Sequence, residues 1–177
     1  IAEGMECGGH VGELTTMALV PQVVGAVDLP VIAAGGIYDG RGLVAALSLG
    51  AVGVQMGTRF ICAEECTVHM NYKEAILNAK DRDTVLTGYN GHYVRVLKNK
   101  LTRAYDELIS RNAGQEEFEK LGVGRLRAAV VEGDITMGSV MSGQVAAMVN
   151  KIQPAREIIE EIVSEGEKII NNLQSLL

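Results

Sequence analysis

Two short apolar runs that end in glycine limit what this chain can become: Pro30-Val-Ile-Ala-Ala-Gly-Gly36 and Gly53-Val-Gln-Met-Gly-Thr58. A continuous apolar run of that length suits a strand buried on both faces. Glycine at its end permits a positive φ, or close approach of the backbone to something beyond the strand. Between the runs, Asp39 reads as the N-cap of a helix over 40–49, with Gly50 as its stop. Upstream, Ile1-Ala-Glu-Gly4 reads as the end of a strand. A helix follows over 16–27, with Pro21 expected at a first helical position and an apolar face of Val23, Val24 and Val27. Strand, helix, strand, helix, strand with short connections calls for parallel strands joined by right-handed crossovers, an α/β architecture.

Composition narrows the class. Hydrophobic residues make up 47% of the chain and Trp is absent, so the core must be built from Val, Ile, Leu, Ala and Met. Sixteen Lys and Arg against twenty-two Asp and Glu, a net charge of -6, argue against nucleic acid as a partner. No apolar run approaches the length of a membrane span, and the expectation is a cytoplasmic protein with no membrane partner. Cys7, Cys62 and Cys66 have no framework spacing, and Cys62/Cys66 lacks a second ligand pair, so free thiols and no metal site are expected.

Beyond Glu64 the pattern changes, and the chain divides into 1–63 and a mainly helical 64–177. Helices are expected over 72–79, 93–110, 116–132 (interrupted at Gly122 and Gly124) and, briefly, 142–150. The stretch 84–88 has no decisive period. The last segment, 154–177, carries an apolar stripe of Ile158, Ile159, Ile162, Ile169, Ile170, Leu173 and Leu177.

Ligands of parallel α/β proteins bind at the C-terminal ends of the strands. Gly35, Gly36, Gly57 and Thr58 stand at two such ends, where backbone N–H groups can face a phosphate and Thr58 can add a hydroxyl. The plainer reading is that these glycines only permit tight turns; the pairing of two such ends favours the phosphate. His10 follows two glycines past the first strand, and histidine ordinarily titrates near neutrality, which suits proton transfer. Glu3 and Glu6 are near enough in sequence to orient it, or lie on the surface. His69 is expected to be solvated, and His92 to be structural rather than substrate-facing. The basic stretch 95–103 reads as the wet side of a helix, with an acidic partner or a nucleotide phosphate as the alternative.

Taken together, Glu6-Cys-Gly-Gly-His10, Pro30-Val-Ile-Ala-Ala-Gly-Gly-Ile37 and Val54-Gln-Met-Gly-Thr-Arg-Phe60 resemble an FMN-dependent group of enzymes. That group contains the nitronate monooxygenases (2-nitropropane dioxygenases) and the flavin-dependent enoyl-acyl-carrier-protein reductase FabK. Leu97-Lys-Asn-Lys-Leu-Thr-Arg103, Leu121-Gly-Val-Gly124 and Gly138-Ser-Val-Met-Ser-Gly-Gln144 resemble the reductase branch. The monooxygenase branch tends to carry a Trp before the last Gly-Gln.

The resemblance implies the C-terminal part of a (β/α)8 TIM barrel with an added helical C-terminal segment. It implies an FMN phosphate held by Gly35, Gly36, Gly57 and Thr58, with Gly9, Ala34, Gln55 and Met56 near the flavin. The loop carrying Met141, Ser142 and Gln144 would fold back beside it, and His10 would be the catalytic histidine. Cys7 stands where the group usually has a small residue. The implied reaction is reduction of trans-2-enoyl thioesters on acyl-carrier protein by NADH or NADPH in bacterial fatty-acid synthesis. The alternatives are FMN- and O2-dependent oxidation of nitroalkanes, or a non-catalytic phosphate-binding module. Because a complete barrel needs about 250 residues, five upstream strands are expected elsewhere in the same protein. A two-fold homodimer is expected from the prevalence of that symmetry.

Overall fold

The computed structural model describes residues 1–175, an α/β structure with two small sheets. The first sheet is parallel and has the order β1 (Ala2–Glu3), β3 (Ile32–Ala34), β4 (Gly53–Gln55). Ala2 lies beside Ala33 and Ala33 beside Val54. Helices α1 (Thr16–Ala26) and α2 (Gly40–Ser48) supply the crossovers. Ala2, Val20, Val31, Ala33, Ile37, Ala46 and Ala51 form the core between sheet and helices, and the small residues let the helices come close. Pro21 does not open α1: it sits inside the helix, where it forgoes the bond to the carbonyl of Met17 and its ring crowds that oxygen. Asp39 caps α2 as expected, its carboxylate accepting from the N–H groups of Arg41 and Gly42.

The second sheet is the main departure from expectation. Residues 93–110 are not one helix: β6 (His92–Leu97) pairs in antiparallel fashion with β5 (Thr84–Tyr89), and only Lys100–Ser110 is helical, as α5. The reason is local. Asn90 and Gly91 both have positive φ, the two-residue turn whose twist matches a hairpin, and Tyr93, Val94 and Val96 are β-formers set just after it. A two-residue strand, β2 (Gly9–His10), joins the other edge of β6, with Gly9 opposite Arg95.

Short helices follow: α3 (Thr58–Ile61), α4 (Met70–Leu77), α6 (Gln115–Gly122) and α7 (Arg125–Glu132), the last two separated at Gly124, which has φ +76°. The segment expected as a helix over 142–150 is a 3₁₀ turn, Gln144–Met148. His69 is not simply solvated, because its Nδ1 accepts the N–H of Asn71 and caps α4. Among the described residues, no helix is long and apolar enough to cross a membrane.

Helix α8 (Ala155–Gln174) buries Ile158 and Ile162 but leaves Ile159, Ile170 and Leu173 exposed; Leu177, the last member of the expected stripe, lies outside the described residues. Helix α8 packs on α2 through glycine. A Cβ on Gly40 would lie 2.5 Å from the backbone nitrogen of Gly166, and the Glu165 carboxylate accepts the Gly40 N–H at 2.8 Å. Gly40→Ala is therefore expected to cost about 1–3 kcal/mol through overpacking. Denaturant midpoints read this, and an unchanged midpoint would show that the helices separate freely.

Candidate active site

The ends of the parallel strands open on one cavity of about 260 Å³. Ala34, Gly35 and Gly36 come from the end of β3, and Gln55, Met56, Gly57 and Thr58 from the end of β4; Met141 comes from the distant loop before the 3₁₀ turn. Eight of the residues singled out in the sequence thus meet in one place. Gly9, Ser142 and Gln144 do not line it, although each adjoins a residue that does. Gly9 is buried at φ +83°, Ser142 is fully buried with its hydroxyl unpartnered, and Gln144 is exposed. His10 is exposed on β2, two residues beyond Gly8, which is in the wall.

The two glycine loops differ in what they offer. Gly35 and Gly36 have φ +88° and +70°, and a Cβ on Gly35 would come within 2.5 Å of the Gly4 carbonyl oxygen, so only glycine fits. A Cβ on Gly57 would meet nothing within 4 Å, so that loop presents bare backbone to the cavity. The backbone N–H groups of Gly36, Ile37, Gly57 and Thr58 donate to no acceptor among the described residues. The Thr58 hydroxyl accepts the Gly143 N–H at 2.8 Å, which fixes its oxygen and leaves its proton to donate.

Glu3, Glu6, Cys7, Gly8, Ile37, Ile61, Tyr72, Gly143 and Val145 complete the wall. Spacing gave no signal for Tyr72 or Ile61, which long-range packing delivers. Glu6 does not orient His10. Its carboxylate accepts the Thr16 N–H at 2.9 Å and the Thr16 hydroxyl at 2.9 Å, closing the start of α1. The same hydroxyl lies 2.8 Å from the Gly35 carbonyl oxygen. The Tyr72 hydroxyl donates to the Met141 carbonyl at 2.7 Å; burial pushes its pKa up, so it remains a donor. Burial, and then the Glu3 carboxylate, push the Cys7 thiol up to about 11, which keeps it a neutral thiol in the wall at physiological pH. Arg95, expected on a wet helix face, is buried on β6, with Nε and Nη2 donating to the Met5 carbonyl at 3.2 and 3.0 Å.

The model of the nitronate monooxygenase family matches residues 1–165. The chain belongs to that family. Within it, a probable nitronate monooxygenase of Staphylococcus saprophyticus is 37% identical over 97% of this chain and 51% of its own length. A (3aS,4S,5R,7aS)-5-hydroxy-7a-methyl-1-oxo-octahydro-1H-indene-4-carboxyl-CoA dehydrogenase of Rhodococcus jostii is 33% identical over 99% of this chain and 61% of its own. The solved structure of FabK from Thermotoga maritima superposes with a TM-score of 0.94 at 49% identity, covering 99% of this chain and 56% of that one. The chain spans about half the length of these relatives. Its resemblance to FabK within the nitronate monooxygenase family, read from motifs, thus extends to the whole path of the backbone.

The Thr16 hydroxyl ties the wall residue Glu6 to the Gly35 loop, so Thr16→Val is expected to destabilise by about 0.5–1.5 kcal/mol by removing the proton that the two part-buried acceptors share. Thr16→Ser should restore most of the loss in a denaturant titration. A valine variant as stable as the parent would show that the hydroxyl is not needed.

Proposed function

We propose that the cavity grips the phosphate of FMN, and that the chain is the C-terminal part of a (β/α)8 flavin barrel that reduces 2-enoyl thioesters of acyl-carrier protein with NADH or NADPH. The observation that carries this reading is the convergence of two glycine loops, with unpaired amides, on one cavity in a chain 49% identical to FabK of Thermotoga maritima. The fit is chemical. A phosphate needs several donors and no side chain in the way, which Gly36, Ile37, Gly57 and Thr58 supply. The N-terminus of α2 is not among the donors, since Asp39 and Glu165 already occupy it. Glu6, though in the wall, has its charge engaged by Thr16, which lessens its repulsion of an anion.

The chemistry that FMN would supply when bound is hydride transfer between the nicotinamide and the β-carbon of the thioester. The chain's own residues bind and orient. Gly57 and Thr58 would hold the phosphate, Gly143 would brace the Thr58 hydroxyl, and the Tyr72 hydroxyl would fix the Met141 carbonyl in the cavity wall. His10 is proposed to deliver a proton from its imidazole N–H to the α-carbon. The remaining wall, and five further strands, would come from the upstream half of the barrel. A thioester substrate agrees with the carboxyl-CoA in the name of the Rhodococcus relative.

A second reading, oxidation of nitroalkanes with O2, is favoured by the family match and by the Staphylococcus relative. Anaerobic mixing with NADH or NADPH separates the two. Rapid bleaching of the flavin is expected for the reductase, and a flavin left oxidised by both nucleotides would exclude it. His10→Ala in the full-length protein should keep the FMN absorbance band and lower turnover by about 10²–10⁴. Near-normal turnover with FMN bound would remove His10 from the chemistry.

A further inference from the structure

A second cavity, of about 660 Å³, opens between the β5–β6 hairpin and the start of α5. Arg95, Lys98 and Arg103 line it, with Asp106 as the opposing carboxylate. None of the three cations takes part in an ion pair among the described residues. In a chain of net charge -6, where carboxylates are plentiful, a convergence of unpaired cations costs self-repulsion that an anion would relieve.

The donors are placed for such an anion. Arg95 is only 4% exposed, and its Nε and Nη2 are taken by the Met5 carbonyl. Its Nη1 makes no hydrogen bond among the described residues and is not sealed from solvent, and the Arg95 side chain is part of the cleft lining. Lys98 spends a single N–H on the Arg82 carbonyl and keeps two. Asn99 and Thr102 are engaged in each other's capping box, which leaves the cations and the Thr84 hydroxyl as the cleft's free side-chain donors among the described residues. A guanidinium with an open edge, flanked by further cations, is suited to phosphate.

The cleft is also close to the active site. Arg95 grips the carbonyl of Met5, and the next two residues, Glu6 and Cys7, stand in the wall of the glycine-lined cavity. We infer that the cleft is a second phosphate subsite, which holds the phosphate of a substrate whose reactive end reaches the flavin anchored at the glycine-lined cavity. This assignment rests on the function proposed above. Two of its substrates carry such a group, the nicotinamide dinucleotide and the phosphopantetheine arm of the thioester.

The test uses the full-length, flavin-loaded protein and the double variant Lys98→Ala/Arg103→Ala, in which both side chains are exposed and folding should be spared. Four KM values are compared: NADH, NADPH, an enoyl-CoA, and an enoyl-N-acetylcysteamine thioester, which has no phosphate. The expected result is a rise of about tenfold for a phosphate-bearing substrate, with kcat within about twofold and the phosphate-free thioester unchanged. A rise for the dinucleotides, or for NADPH alone, assigns the cleft to them; a rise for the CoA thioester alone assigns it to the phosphates of the thioester carrier. If all four KM values stay put, the subsite is wrong. If neither parent nor variant turns over any of these substrates, the proposed function fails, and calorimetric binding of inorganic pyrophosphate decides the cleft alone. Binding about tenfold weaker in the variant sustains the subsite, and equal or absent binding overturns it.

Discussion

The site hangs on the junction of Glu6, Thr16 and Gly35. The first N–H groups of a helix have no partner within it, and α1 begins at Thr16, whose N–H is such an orphan. Glu6 satisfies it from the loop after β1, and the Thr16 hydroxyl reaches both that carboxylate and the Gly35 carbonyl. Two strand-end loops and one helix start are thereby a single unit. The fit tolerates little change, because Gly35 has a positive φ and sits against the Gly4 backbone. The wall of the cavity is built by making the backbone itself the packing surface, as again at Gly8 and Gly143, where a Cβ on Gly8 would lie 2.7 Å from the Gly143 nitrogen.

Buried cations staple the remaining parts to that unit. Lys73 donates to the Ala63 carbonyl at 2.6 Å, Arg59 to Gln153 at 2.7 Å, and Arg95 to Met5. Each sits in a place that costs desolvation unless its donors are met. The first joins α4 to the turn just after α3; the other two join segments far apart in sequence, α3 to the approach to α8 and the hairpin to the first loop. The hydrophobic clusters supply cohesion, and these directional bonds fix which loops face one another.

What could be read in the sequence follows from how local each signal was. The β3–α2–β4 run was legible because apolar runs, the Asp39 cap and the terminal glycines all act within a few residues, and they agree. The convergence of Gly35, Gly36, Gly57 and Thr58 followed from them. Residues 93–110 were misread because a helical period across Val94 and Leu97 competes with strand alternation, and the decisive cue, Asn90-Gly91, lies just before the segment. Glu6 and Arg95 were misassigned for another reason. A charged residue in sequence looks solvated unless its buried partner is known, and both partners, Thr16 and the Met5 carbonyl, are set by tertiary contacts. The motif resemblance reached the cavity wall at Met141 but could not supply Tyr72, which enters from a different helix.

The two sheets divide the labour. The glycine grip stands on the parallel sheet, whereas His10 stands on β2, an edge of the antiparallel sheet whose body is the β5–β6 hairpin. A hairpin can lengthen, twist or exchange side chains without disturbing a register it does not share. On the function proposed above, one cofactor platform could therefore persist while the surface facing the substrate drifts. That modularity offers a physical reason why relatives of this chain carry names as different as a nitronate monooxygenase, a carboxyl-CoA dehydrogenase and FabK.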